Sequence, residues 1–482
     1  MAARPAAADP ARLEEIRSGV SGALGSFLAR QQAILRGVGD DLEPCLAAIG
    51  DLLAGGKRLR PAFCYWGWRA AGGRDCPEIL ATAAALELLQ ASALIHDDVI
   101  DDSDTRRGLP AVHRRFASWH AKADRPGSAE RFGTGAAILI GDLLLTWANE
   151  MYWSGGLAPD VLHSGAPVWA MLQTELGAGQ FLDLLSHVDG TTSVADAVRV
   201  ITYKTARYTT ERPLQLGARL ANAVSQAPES AAVSSALARY GAPLGIAFQL
   251  RDDVLGVFGD PARTGKPVGG DIAEGKQTVL MAMTRQRASA IQAAILDRHL
   301  GDRSLTGEAV AEVRAVVTDT GALAECENLI AAYRKEGVAA LDGAPVAADA
   351  GTALTALADF ITDRDELARL AGPDRQDVRD STITPFGDVL DQQARAHKTG
   401  HQLAERVVAH THSPPHVHPP PGRLVMPAGQ AVSRMRPDPA VVQPFDVRPV
   451  EARMHAVERD QPARNQDARR LREHSGEVVD IG

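Results

Sequence analysis

The sequence predicts an all-α protein, and three observations carry that reading. Residues 11 to about 368 run as successive stretches with apolar residues at helical period, separated by short breaks. Strand-type alternation of Val, Ile and Thr is nearly absent. The composition is 45% hydrophobic, rich in Ala and Leu, with only 5% aromatic residues, which suits a core of packed helices. The breaks fall at Ala54-Gly55-Gly56, Ala71-Gly72-Gly73, Gly108-Leu109-Pro110, Arg125-Pro126-Gly127, Trp153-Ser154-Gly155-Gly156 and Gly259-Asp260-Pro261. Gly and Pro end regular structure by backbone freedom and by the missing amide hydrogen, so each break bounds a helix.

At 482 residues the chain exceeds one typical domain, and its character changes at Gly372. Residues 371–482 hold 13 of the 28 prolines and 8 of the 14 histidines but none of the six tryptophans. Such a segment cannot bury enough apolar surface to offset chain entropy. The expected organisation is a helical domain over 11–368 and a largely disordered Pro/His-rich tail over 371–482, with one short helix around Pro385–Ala409. The run His410-Thr411-His412-Ser413-Pro414-Pro415-His416-Val417-His418 carries metal-ligating side chains, but reads better as a linker without fixed geometry.

Several function classes are excluded. A net charge of −9 lacks the basic stripe that nucleic acid requires. Cys45, Cys64, Cys76 and Cys326 have neither CxxC spacing nor the density of a disulfide framework. Met1 to Pro10 has no signal-peptide pattern, and no unbroken apolar run reaches the length of a membrane span. A soluble, cytoplasmic protein with reduced thiols is expected.

Two aspartate clusters carry the chemistry: Asp97-Asp98-Val99-Ile100-Asp101 and Asp252-Asp253-Val254-Leu255-Gly256. Each lies in a long apolar run, where ionised carboxylates must be paired or must coordinate a metal. Asp97 and Asp101 lie one turn apart on one helix face. Two such helices facing each other would offer hard oxygen ligands to Mg²⁺, which keeps several waters and fills its shell from substrate phosphates. The plainer reading is a pair of solvated acidic helix starts, since Asp is favoured in first turns.

Basic groups complete the inventory. Gly55-Gly56-Lys57-Arg58-Leu59-Arg60-Pro61 places Lys57 and Arg60 at a helix start, where cations oppose the macrodipole, so their charge is wanted for an anion. Thr105-Arg106-Arg107-Gly108 follows the first acidic cluster; adjacent arginines can face different sides, although pairing with Asp101, Asp102 or Asp104 is the simpler account. Lys204-Thr205, Lys266 and Lys276 are weaker candidates. Gly270–Lys276 approaches a phosphate-binding loop, but Gln277 stands where Ser or Thr belongs and no strand precedes it. His96 and His113 read as packing or capping residues. Between the charged groups lies an apolar wall of Leu86, Leu88, Leu89, Leu94 and Ile95. Metal, diphosphates and a dry wall point to ionisation of an allylic diphosphate.

Seven ordered segments resemble the trans-isoprenyl diphosphate synthases (polyprenyl synthetases), especially bacterial geranylgeranyl diphosphate synthases, over about residues 20–368. They are GGKRLRP at 55–61, LIHDDVIDDSDTRRG at 94–108, GDLLL at 141–145, GQFLDL at 179–184, KT at 204–205, FQLRDDVLGVFGD at 248–260 and TGKPVGGDIAEGKQT at 264–278. The resemblance implies an isoprenoid-synthase-type helical bundle around a central cavity, a homodimer, and about three Mg²⁺ ions per site. It makes Asp97, Asp98 and Asp101 the first metal-binding motif, with Asp252 and Asp253 holding the third ion. It assigns Lys57, Arg60 and Arg107 to isopentenyl diphosphate, with Gln90 where relatives often carry His. It assigns Arg106, Lys204, Thr205, Gln249, Lys266 and Lys276 to the allylic diphosphate (dimethylallyl, geranyl or farnesyl). Asp97, Asp98, Asp101, Lys204, Gln249 and Asp252 form the implied catalytic set. Two departures stand out: Gly256 replaces a third Asp of the second motif, and residues 371–482 lie outside the pattern.

Product length should follow from the cavity floor. Ser92 and Ala93, one turn before Asp97, are small where relatives stopping at fifteen carbons usually carry bulky aromatics. Leu88 and Leu89 come next, one turn or about 5.4 Å further down, which suggests a twenty-carbon product. The alternatives are a farnesyl or longer-chain synthase, a terpene cyclase, a non-catalytic partner subunit, or a protein whose tail is an interaction arm.

Overall fold

The first acidic cluster ends a helix instead of starting one. The computed structural model describes residues 10–189, 193–225, 230–259 and 269–363. In it α4 (Pro77–Ile100) closes with Asp97 and Asp98 in its last turn and Asp101 as its C-cap. Before it come α1 (Pro10–Val38), a 3-10 turn (Asp40–Leu42), α2 (Glu43–Leu53) and α3 (Leu59–Ala70). After it come a two-residue hairpin, α5 (Val112–Lys122), α6 (Ala129–Trp153), α7 (Pro159–Asp189) and α8 (Val194–Ile201). A π-helical segment (Thr202–Glu211) leads into α9 (Arg212–Ser225) and α10 (Ser230–Phe258). Then follow α11 (Gly270–Ala273), α12 (Val279–Arg287), α13 (Ala290–His299), α14 (Gly307–Asp319), α15 (Ala322–Ala339) and α16 (Ala348–Thr362). The Pro/His-rich tail, the 385–409 helix, the His410–His418 run and Lys266 lie outside the described residues.

The breaks work as expected from local chemistry. Ser128, Ser193, Thr278 and Thr306 accept backbone N–H groups at the starts of α6, α8, α12 and α14. Ser289 and Gln292 form a reciprocal capping box on α13. Strand structure among the described residues is confined to a short hairpin, Thr105–Arg106 against Leu109–Pro110. Its two-residue loop has positive φ at both Arg107 and Gly108, as the tight turns matching strand twist require.

Packing centres on α4, which lies against α6, α3, α1 and α2, and on α10, which lies against the π segment, α15 and α9. The faces of α3 and α9 meet through glycine. A Cβ on Gly67 would sit 2.2 Å from the Leu214 carbonyl oxygen, and one on Gly217 would sit 1.9 Å from the Cys64 carbonyl oxygen. Ile79, Ala83, Ala84, Ala85, Leu86, Leu88 and Ile95 of α4 are buried in this core. By length and composition α4 and α6 would each suffice to span a bilayer, against the sequence expectation. Most of the apolar window of α4 is instead buried in the bundle, while α6 leaves more of its own exposed.

Arg58 shows how the basic turn is divided. It takes a left-handed backbone conformation (φ 51°), and its side chain runs inward to Glu87 Oε2 at 2.7 Å and the Leu53 carbonyl at 2.5 Å. The Arg58 and Glu87 side chains are only 5% and 6% exposed. Removing one partner of a buried pair strands the other charge. Glu87→Leu should therefore cost about 3–5 kcal/mol in urea denaturation, and adding Arg58→Met should recover most of that loss.

Candidate active site

Carboxylates at a helix C-terminus face the negative end of the macrodipole, so both acidic rows need compensation. Asp97 Oδ1 accepts hydrogen bonds from Gln180 Nε2 at 2.9 Å and Lys204 Nζ at 3.0 Å. Lys204 Nζ also donates to Asp183 Oδ2 at 2.6 Å. Burial works to raise the Asp97 pKa, but the charges of Lys204, Lys276 and Arg106 overcome it and hold the pKa below the usual carboxylate value. Asp98 is buried and grips the Arg106 guanidinium, Nε donating at 2.8 Å. Asp101 is pushed up to about 6 by burial and by the charge of Asp97, against the pull of Lys276 and Lys204.

On α10, Asp252 and Asp253 occupy the penultimate turn. Gln249 Nε2 donates to Asp253 Oδ1 at 2.8 Å. Asp253 is pushed up to about 8, chiefly by burial and, against that Gln249 hydrogen bond, by the charges of Asp271 and Asp252. Arg251, between these residues and the protein interior, clamps Glu327 with two 2.7 Å hydrogen bonds and donates to the Thr362 carbonyl, fixing α10 against α15 and α16.

Lys276 joins the two rows. Its Nζ lies 2.8 Å from Glu274 Oε2, 3.8 Å from Asp271 Oδ1 and 3.9 Å from Asp101 Oδ2. Asp271 in turn reaches the α10 backbone at Gly256. Beyond α13, Arg303 donates to the carbonyls of Asp101 and Asp102, each at 2.9 Å, and holds the turn that ends the first row.

The donor set fits Mg²⁺. Asp101 Oδ2 and Asp253 Oδ2 are buried oxygens without a hydrogen-bond partner among the described residues. Among those residues no three His, Cys, Asp or Glu side chains converge tightly enough to hold an ion unaided. That also suits Mg²⁺, which takes one or two carboxylates and draws its remaining ligands from water and phosphate.

The basic candidates divide by position. The hairpin turns Arg106 toward Asp98 and Arg107 toward the carbonyls of Leu52 and Gly55, at 2.8 and 2.7 Å, so the two arginines do face different sides. Arg107 keeps exposed surface, yet lost hydration around its guanidinium lowers its pKa. The cations Arg58, Arg106 and Arg60 add to this against the opposing charge of Glu87. Arg60 packs over the Tyr208 ring at 4.4 Å and donates to Thr209 Oγ1 at 2.9 Å. Lys57 and Gln90 are half-buried. Lys204 and Thr205 sit on the π segment, a wide turn often found at functional sites. Gly179 makes its approach possible: a Cβ there would lie 2.3 Å from the Lys204 amide nitrogen. Glu175 anchors the segment through Arg207 at 2.6 Å and Arg212 at 2.7 Å.

Sequence reasoning passed over Gln180, Asp183, Asp271 and Glu274. A signal existed for the first two, because Gln180 and Asp183 in GQFLDL share a helix face at i, i+3. His96 packs against α6, where a Cβ on Gly141 would meet its ring, and His113 is buried, so both act as packing residues.

Two acidic rows linked through Lys276, with separate cationic groups on an all-α bundle, have the donors and charges of a diphosphate-handling enzyme. The Polyprenyl synthetase family profile matches residues 43–318, and the chain belongs to that family. It is a prenyl diphosphate synthase, a prenyltransferase. It is 30% identical over 323 residues to the geranylfarnesyl diphosphate synthase of Aeropyrum pernix, covering 66% of this chain and 93% of that protein. It is 35% identical over 269 residues to the geranylgeranyl diphosphate synthase of Mycobacterium tuberculosis, covering 55% and 69%. The crystal structure of geranylgeranyl pyrophosphate synthase from Corynebacterium glutamicum, complexed with isoprenyl diphosphate and magnesium, superposes with a TM-score of 0.69 at 40% identity. That alignment covers 73% of this chain and 99% of the other.

The raised carboxylates give a pH signature. Each pKa lies above its unfolded value near 3.9, so the stability they contribute is full below about pH 4 and lost as pH rises to about 8. The metal-free melting temperature should fall from pH 5 to pH 8. Adding Mg²⁺ with pyrophosphate at pH 7 should release protons, measured by pH-stat, and Asp253→Asn should reduce that release.

Proposed function

We propose that this synthase joins isopentenyl diphosphate to an allylic diphosphate (dimethylallyl, geranyl or farnesyl) and releases geranylgeranyl diphosphate as its main product. The supporting observation is two sets of cationic groups, one bonded to the acidic rows (Arg106, Lys204) and one turned away from them (Arg60, Arg107), a charge inventory for two diphosphates. Lys57, Arg60 and Arg107 would bind isopentenyl diphosphate, with Gln90 beside them. Arg106, Lys204, Thr205, Gln249, Lys276 and Lys266 would hold the allylic diphosphate. Bound Mg²⁺, about three ions held by Asp97, Asp98, Asp101, Asp252 and Asp253, would neutralise the charge of the departing pyrophosphate. The C. glutamicum complex with magnesium and isoprenyl diphosphate supports that assignment.

The residues of the chain then perform the remaining work. Lys204 and Lys276 carry charge to the point where the allylic C–O bond breaks, and the carboxylates that surround them keep both protonated. Gln249 orients Asp253, and Gln180 orients Asp97. The apolar residues of α4 keep water from the carbocation while the isopentenyl double bond attacks it. The released pyrophosphate takes the proton that restores the double bond.

Product length is read along α4. Gln90, Ala93, Leu94, Asp97 and Asp101 are all half-buried at spacings of three and four, one face beside the charged site, while Leu88, Leu89 and Ser92 are buried. A small Ala93 leaves room below the diphosphate, and Leu89 stands one turn further down. Incubation with Mg²⁺, isopentenyl diphosphate and farnesyl diphosphate should give a twenty-carbon product. Ala93→Phe should shift the main product to fifteen carbons or fewer with geranyl diphosphate as primer. No consumption of isopentenyl diphosphate would overturn the function, and an unchanged product from Ala93→Phe would overturn the floor.

The catalytic domain would occupy 11–368, acting as a homodimer in the cytoplasm. The four cysteines are free thiols, consistent with a reducing compartment. An apolar stripe on α7 (Phe181, Leu184, Leu185 and 77%-exposed Val188) and Leu139 on α6, 69% exposed, supply apolar surface that a second copy would cover. Leu139→Arg should convert the dimer to monomer in light scattering.

A further inference from the structure

The second acidic row is one carboxylate short along α10, with Gly256 at the position that shares a face with Asp252 (i+4) and Asp253 (i+3). The space a side chain would fill at 256 is already taken. A Cβ on Gly256 would lie 1.8 Å from Asp271 Oδ2 and 2.4 Å from its Cγ, so the Asp271 carboxylate occupies the side-chain volume of residue 256. We infer that Asp271 supplies the missing third carboxylate of this row through space, and that Gly256 is the accommodation that admits it.

Three further observations point the same way. Asp271 is buried, a position an ionised carboxylate holds only with compensation. Asp253, only 2% exposed, has one oxygen held by Gln249 and the other buried without a hydrogen-bond partner among the described residues. The charge of Asp271 helps to raise the Asp253 pKa, so the two carboxylates lie close enough to repel each other. The ligand class is a divalent cation carrying a diphosphate.

This inference rests on the proposed metal–diphosphate site, and its test separates the two. The readout is the Mg²⁺ concentration giving half-maximal retention of radiolabelled inorganic pyrophosphate in equilibrium dialysis, on full-length protein with matched thermal melts. Asp271→Asn should raise that midpoint about 10-fold or more, as loss of a metal-site carboxylate commonly does. Gly256→Ala should raise it too, although Ala otherwise favours a helix, because the new methyl displaces the Asp271 carboxylate. Combining Gly256→Asp with Asp271→Gly should return the midpoint toward the wild-type value. A wild-type midpoint in Asp271→Asn, while Asp252→Asn abolishes retention, would overturn this inference alone. So would an equal shift in Glu274→Gln, which would mean that Asp271 acts through Lys276. Retention in wild type that ignores both Mg²⁺ and Asp252→Asn would overturn the underlying site.

Discussion

Two apolar helices carry carboxylates in their final turns, where burial disfavours charge and where, at the very end of α4, the negative pole of the helix dipole adds to that. The rest of the site is arranged around that conflict. Compensation arrives from segments distant in sequence: Arg106 from the hairpin, Lys204 from the π segment, Lys276 from the turn after α11. Yet Asp97, Asp98, Asp101, Asp183, Asp252, Asp253, Asp271 and Glu274 together outnumber those cations. Burial, with the charge of neighbouring carboxylates added to it, holds Asp101 and Asp253 above the usual carboxylate range. The excess of carboxylates is what a divalent cation bringing a diphosphate would satisfy. Metal affinity and the raised pKa values would both follow from burying more carboxylates than the local cations offset.

The acidic rows and the helical periodicity were legible in the sequence because both are local patterns. Their position was not: Asp-rich segments suit first turns, whereas here they close α4 and α10. The π segment was also invisible, since its wide turns come from the fit of Glu175 with Arg207 and Arg212 and from the bare backbone of Gly179. Gly256 illustrates the limit most clearly. Along the chain it reads as a lost ligand, and only the folded structure shows a carboxylate from residue 271 in its place.

Neighbouring residues of one basic turn meet different fates for backbone reasons. Arg58 sits in the left-handed region and is sent inward to Glu87, becoming part of the core. Arg60, two residues on and already helical, stays beside Tyr208 with its Nε buried and lacking a hydrogen-bond partner among the described residues. The hairpin divides Arg106 from Arg107 in the same way, because positive φ at 107 and 108 reverses the chain between them. Composition alone counts four similar cations; geometry sorts them into a core clamp (Arg58), a partner of Asp98 (Arg106) and two groups turned elsewhere, Arg60 and Arg107.

The helix that carries the first acidic row also carries the residues assigned to measuring the product. Its two faces are segregated: Leu88, Ser92 and Ile95 pack into the bundle, while Ala93 and Leu94 share the half-open face of Asp97. A ruler cut into the same rigid rod as the diphosphate clamp has a fixed zero, since both move together if the helix shifts. Chain length would then depend on side-chain volume at a few steps of about 5.4 Å along α4, and not on the conformation of surrounding loops. That separation lets one catalytic constellation serve several product lengths, because residues such as Ala93 can change size without disturbing the charges one turn above.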